Sequence, residues 1–129
     1  MVNPETNPTS SLPLTPAVFH VLLALADGER HGYAIMQEVA ASTDRHIKMG
    51  PGTLYGTVKR LLESRLIEES AQRPDPQLDD QRRRYYRLTA VGEQVVRAEV
   101  RRYADLVAVA RGKNLIGKPA LASLPGGGL

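Results

Sequence analysis

The chain contains no cysteine. That excludes a disulfide frame, a thiolate zinc site and a cysteine nucleophile, and it suits a reducing, cytoplasmic setting. Long apolar runs are missing too. The longest is Val21–Ala26, far short of the ~20 residues that span a bilayer. No lysine or arginine precedes Arg30, and prolines interrupt every apolar stretch before Ala17, so the start does not read as a signal peptide. Histidine is scarce: His20, His31 and His46 fall on different predicted elements, without the spacing of a metal site. His20 reads as a partly buried packing residue. No Ser–His–Asp order, paired carboxylates or phosphate loop appears; Gly50-Pro51-Gly52 lacks the lysine of a P-loop. Neither an enzyme nor a cofactor is expected.

What is present is charge of uneven placement. At 129 residues and net charge +3, the length suits one compact domain plus tails. Residues 1–44 carry one arginine against five acids, residues 45–87 ten basic side chains against six acids, and residues 88–129 six against three. An acidic start followed by a basic middle is the electrostatic footprint of a nucleic-acid reader, although a solvated basic face would look the same.

Residues 1–14, with three prolines and no periodicity, read as a disordered arm, and residues 112–129 as a glycine-rich flexible tail. Between them, Thr15 caps a first helix led by Pro16. Val18, Leu22 and Leu25 form its apolar face, and Asp27-Gly28 ends it. A second helix spans His31 to Ser42 and buries Ile35, Met36, Val39 and Ala40. Gly50-Pro51-Gly52 opens a third, about 51–64, with a core stripe of Leu54, Val58, Leu61 and Leu62. Thr53, Thr57 and Arg60 fall on its opposite face, flanked by Tyr55 and Lys59.

The period then shortens. Leu66–Ala71 and Arg82–Leu88 read as two strands of a hairpin, with Tyr86 and Leu88 on one face. Pro74 and Pro76 force the intervening segment into a long polar tip. Thr89 caps a last helix that runs to about Arg111 before Gly112 stops it. Its residues Val96, Val100, Tyr103, Val107 and Ala110 repeat every 3.5 residues, the spacing of a helix packed along another helix. Val91, Val95 and Ala98 form a second stripe, expected to face the domain's own core.

The order helix–helix–helix–hairpin–helix is that of a winged helix-turn-helix, mainly α with a small β-hairpin, plus a C-terminal dimerisation helix. The expected divisions are 15–88 for the DNA-binding domain and 89–111 for the dimerisation helix. The third helix would enter the major groove and the wing, about 66–88, would follow the backbone. Thr53 and Thr57 are short donors for phosphate, and Lys59 and Arg60 suit phosphate or guanine. Gly56 costs helix propensity, which makes sense where a second molecule's backbone comes close. Arg82, Arg83 and Arg84 are the expected phosphate contacts of the wing, while Arg87, at the strand base, is expected to pair within the chain. Asp79 and Asp80 either pair with those arginines or mark a tip that points away from DNA.

Several segments together resemble the PadR-like transcriptional regulators: His31-Gly32-Tyr33-Ala34-Ile35, Gly52-Thr53-Leu54-Tyr55 with Lys59-Arg60-Leu61, Leu66-Ile67, and Arg84-Tyr85-Tyr86-Arg87-Leu88-Thr89 with Gly92. The resemblance covers residues 17–92 and implies a winged-helix DNA-binding protein of a mostly repressor family, homodimeric through its C-terminal helix. It implies that Thr53, Tyr55 and Lys59 face DNA, that Tyr33 touches the backbone or supports the third helix, that Tyr86 and Leu88 anchor the wing, and that Gly92 permits close packing. Arg65 departs from the pattern, standing where a glycine is usual. The helix before it must end without a left-handed glycine or with a strained arginine. Some relatives bind flat drugs in a tryptophan-lined pore. This chain has no tryptophan, and Phe19, Tyr103 and Val107 are the nearest candidates for an effector pocket.

The function that follows is regulation of transcription by a homodimer on a pseudo-palindromic duplex operator, with half-sites ~10 bp apart. Two rivals remain: a winged-helix protein-interaction module, and a ligand-sensing multidrug-type regulator.

Overall fold

In a computed structural model, the structure describes residues 12–70 and 84–117. Along the chain lie α1 (Pro16–Ala24), β1 (Arg30–His31), α2 (Gly32–Ser42), α3 (Pro51–Glu63), β2 (Ile67–Glu69), β3 (Tyr85–Leu88) and α4 (Ala90–Gly112). The strands form one antiparallel sheet in the order β1-β3-β2. The expected hairpin is therefore joined by a third strand. Arg30 and His31 pair with Tyr86 and Tyr85.

The helix starts follow from their caps. Thr15 Oγ1 accepts the Val18 N–H at 3.3 Å, with Pro16 inside the first turn. The His31 side chain accepts the Ala34 N–H at 3.2 Å and caps α2. Thr89 binds both ways: its hydroxyl donates to the Arg65 carbonyl at 2.7 Å and accepts the Gly92 N–H at 3.0 Å. One side chain thus caps α4 and ties it to the chain entering β2.

The end of α3 resolves the alternative at Arg65. Its φ is +62°, so the arginine takes the left-handed conformation usually given to glycine, at a cost of about 1 kcal/mol. In exchange, the Leu66 N–H reaches the Leu61 carbonyl at 3.0 Å, which satisfies a carbonyl of the last turn.

Two compact units divide the chain between Glu99 and Val100, inside α4. In the first unit, Val21, Leu22 and Leu25 of α1 and its exit close over Ile35 and Val39 of α2, Leu54, Val58 and Leu61 of α3, Ile67, Tyr86, and Val95 and Val96 of α4. Leu12 and Leu14 pack against this core, and the Leu14 N–H donates at 2.8 Å to Glu99, a fully buried carboxylate. Residues 12–14 are thus part of the packed unit, not of an arm; residues 1–11, like the tail from 118 onward, lie outside the described residues.

Two expectations about α4 are corrected. Its buried stripe is Gly92, Val95, Val96 and Glu99, spaced i, i+3, i+4, i+7. Val96 therefore belongs to the core, not to an outer seam, and Val91, one position out of phase, is exposed. The phase is set at Gly92, where a Cβ would collide with the Leu66 carbonyl oxygen. The second unit holds the remainder of α4, and there Val100, Tyr103, Leu106, Val107 and Val109 are all exposed. Among the described residues no helix is long and apolar enough to cross a membrane.

Candidate nucleic-acid interface

α3 divides its residues cleanly. Leu54, Thr57, Val58 and Leu61 are buried, while Gly52, Thr53, Lys59, Arg60 and Glu63 are exposed. The outward set, with half-exposed Gly56, follows the i, i+3, i+4, i+7 spacing of one helix face. Gly50 caps α3 without a side-chain bond, so the cap residue itself leaves the N–H groups of the first turn unfilled. A Cβ at Gly50, Gly52 or Gly56 would meet nothing; none of the three is required by the chain's own packing. The face is short-sided at its start and cationic further along.

Thr57 is corrected. It is fully buried, and its hydroxyl donates to the Thr53 carbonyl at 2.8 Å. A hydroxyl that bonds the preceding turn can turn a threonine inward at low cost, so its polarity was a poor guide to its direction. Tyr55 is half-buried and packed on the core. Its phenol lies where a Cβ on Gly32 would sit, which links α3 to the first turn of α2. Tyr33, by contrast, is 51% exposed on α2.

The cations sort by whether an acid holds them. Arg30 reaches Asp27 at 3.2 Å and Glu38 at 3.5 Å. Arg87 meets Glu68, its cross-strand neighbour, at 2.8 Å, the intrachain pair expected of it. Lys59, Arg60, Arg45 and Lys48 pair with no carboxylate among the described residues. Arg60 makes one long contact, 3.4 Å, to Thr57 Oγ1. Arg84 is exposed just before β3; Arg82, Arg83 and the acidic tip with Asp79 and Asp80 lie outside the described residues.

The wing's root is firm. Tyr86 is 3% exposed in the central strand, and burial, helped by Glu69, pushes its phenol above the usual value of 10.0. Tyr85 stacks edge-on against His31, with ring centroids 5.4 Å apart. A tight internal tie adds to this: the Ser70 hydroxyl donates at 2.9 Å to the Glu29 carboxylate.

The effector candidates are divided between the units. Phe19 is half-buried on α1, edge-on to His20, whereas Tyr103 and Val107 are exposed in the second unit. The sequence reading missed a different concavity. Tyr33, Met36, Gln37, Arg45, Lys48 and Met49 line an open groove of about 470 Å³ beside α2 and the turn into α3. Arg45 and Lys48 sit in a turn without periodicity, which left no sequence signal except their charge.

The family model for the PadR-like transcriptional regulators matches residues 21–98. Uncharacterized protein X of Lysinibacillus sphaericus is 30% identical over 86 residues, covering 67% of this chain and 76% of its own length. Among solved structures, a PadR family transcription regulator of Clostridium difficile superposes with a TM-score of 0.61 at 22% identity, over 76% of this chain and 97% of that one. Bordetella bronchiseptica BpsR, whose DNA binding is regulated by 6-hydroxynicotinic acid, matches with a TM-score of 0.57 at 27% identity, over 77% of this chain and 66% of its own.

Proposed function

Because the chain belongs to the PadR-like family of transcriptional regulators, we propose that it is a homodimeric, cytoplasmic repressor that places α3 in the major groove of a pseudo-palindromic operator. The observation that carries this reading is the outward face of α3, where Thr53, Lys59 and Arg60 stand exposed beside glycines that the fold itself does not need. Short side chains near the helix start admit a sugar–phosphate backbone. The two cations beyond them suit phosphate oxygens or the O6/N7 edge of guanine. Arg84, with Arg82 and Arg83 before it, would add backbone contacts from the wing.

The second units pair, in this reading, through Val100, Tyr103, Val107 and Ala110, so that two copies of α3 face one side of a duplex about one turn apart. Likeness to BpsR supports a small-molecule effector of this regulation.

Selection from a random duplex pool supplies the operator, and gel shifts at two salt concentrations test the contacts. Lys59→Ala and Arg60→Ala are expected to weaken operator binding about tenfold or more, since a good base-edge pair contributes ~1–3 kcal/mol. Thr57→Val, a change inside the core, is expected to bind as the parent does. Equal binding by all three variants removes α3 from the recognition role. Failure of the parent chain to retain any duplex leaves the protein-interaction reading in its place.

A further inference from the structure

The groove beside the turn into α3 has features that the fold does not use. Its floor contains two methionines, Met36 half-buried and Met49 8% exposed. Tyr33 and Gln37 supply a phenol and an amide, and Arg45 and Lys48 supply two exposed cations. Among the described residues, none that lines it is acidic. Glu38, the acid next to Gln37, is engaged by Arg30 at 3.5 Å; Asp44, next to Arg45, is exposed and does not line the groove.

The turn that carries the two cations is rigidly held. Asp44 and Arg45 both have left-handed backbones, φ +52° and +64°, a conformation that costs any residue with a Cβ. The Arg45 N–H donates to the Ala40 carbonyl at 2.7 Å. Thr43 Oγ1 donates to the Val39 carbonyl at 2.7 Å and accepts the Ile47 N–H at 3.1 Å. A glycine at 45 would make the same turn more cheaply, so what the arginine adds is its side chain. Lys48 stands two positions before Gly50, the N-cap of α3, on the approach to the proposed recognition helix.

We propose that this groove seats the sugar–phosphate backbone of the duplex that receives α3. Arg45 and Lys48 bind successive phosphates, the Tyr33 hydroxyl and Gln37 amide add neutral donors, and the methionine floor meets the apolar face of a deoxyribose. This rests on the reading that the chain binds duplex DNA, and it adds an anchoring site outside α3 and the wing. Charge complementarity favours a phosphodiester over an apolar ligand, since two cations without a carboxylate partner among the described residues line a groove to which those residues contribute no acid. Contacts of this kind position the protein and carry no sequence information.

The test compares the full-length parent with Arg45→Gly, Lys48→Gln and the double variant, on sheared genomic DNA and on the selected operator, across a salt series. Each lost contact is expected to flatten the slope of log affinity against log salt by about 0.9, with both DNAs weakened by the same factor. The melting temperature of Arg45→Gly should not fall, because glycine accepts the left-handed backbone. An unchanged slope in the double variant, while the parent binds DNA and Lys59→Ala weakens it, overturns the groove and leaves α3's role intact. No DNA binding by the parent overturns both. Saturable uptake of inorganic phosphate by DNA-free protein at the groove, abolished in the double variant while its DNA slope stays unchanged, overturns the duplex as occupant in favour of a free anion.

Discussion

A Cβ at Gly92 would run into the backbone carbonyl oxygen of Leu66, whereas one at Gly56 would meet open space. The two glycines therefore respond oppositely to alanine. At Gly92 the obstacle is backbone, held by the Thr89 N–H at 3.1 Å, so the helix must move and the core behind Val95 and Val96 with it. Gly92→Ala is expected to destabilise by about 1–3 kcal/mol or more, read from the urea midpoint. Gly56→Ala should instead stabilise by up to ~1 kcal/mol through helix propensity and yet lose affinity for duplex DNA, because the added methyl occupies the space where a backbone would approach. A Gly56→Ala protein that is more stable and binds DNA undiminished would mean that nothing approaches that face. His20 supplies a residue-scale pH dependence. Its Nδ1 is buried without a hydrogen-bond partner among the described residues, and burial lowers its pKa from 6.5. The unfolded chain then takes up the proton before the folded one, so stability should fall as pH drops below about 6.5 and level off once the folded imidazole also titrates. His20→Phe should remove this part of the slope in melting temperature against pH.

At the scale of elements, the joint at Thr89 concentrates two functions in one hydroxyl. It caps α4 through the Gly92 N–H and holds the Arg65 carbonyl, next to a left-handed residue. Thr89→Ala is expected to cost about 1–2 kcal/mol, and Thr89→Ser to recover most of it; equal loss in both would shift the credit from the hydroxyl to the methyl. Such caps were the most legible feature of the chain. Thr15-Pro16, Gly50-Pro51 and Thr89 announce helix starts through local chemistry, and each start lies where its cap puts it. The strand at Arg30–His31 was not legible, because two residues carry no alternation and exist only through pairing with β3. The facing of α4 was misread because apolar residues at 91, 95, 96 and 98 fit two overlapping stripes. Only the packing at Gly92 selects between them, and that contact is tertiary. Of the candidate site, the charged outer face of α3 was legible from period and polarity. The inward turn of Thr57 and the cationic groove at Arg45 and Lys48 depend on a local hydrogen bond and on a turn, neither of which has a period.

For the molecule as a whole, the two units differ in how far each satisfies its own apolar surface. The first encloses a core from all three N-terminal helices, the sheet and the start of α4. In the second, Val100, Tyr103 and Val107 are each at least 40% exposed, joined by Leu106 and Val109, which the 3.5-residue pattern had not included. A lone helix cannot bury such a face against itself, and exposed apolar rows of this length mark association surfaces. In the proposed reading, pairing of two chains there would give the symmetric reader that a pseudo-palindrome requires. Val107→Glu places a charge on this face without touching the first unit's core. The variant is expected to sediment as a monomer with near-parental helix content, and its melting temperature should lose the rise with protein concentration that an associating parent shows. Because a monomer holds one half-site at a time, operator affinity should fall by orders of magnitude while the weak, salt-sensitive binding of random DNA persists. A variant that still sediments with the parent, and binds the operator equally well, would place the association surface elsewhere on the chain.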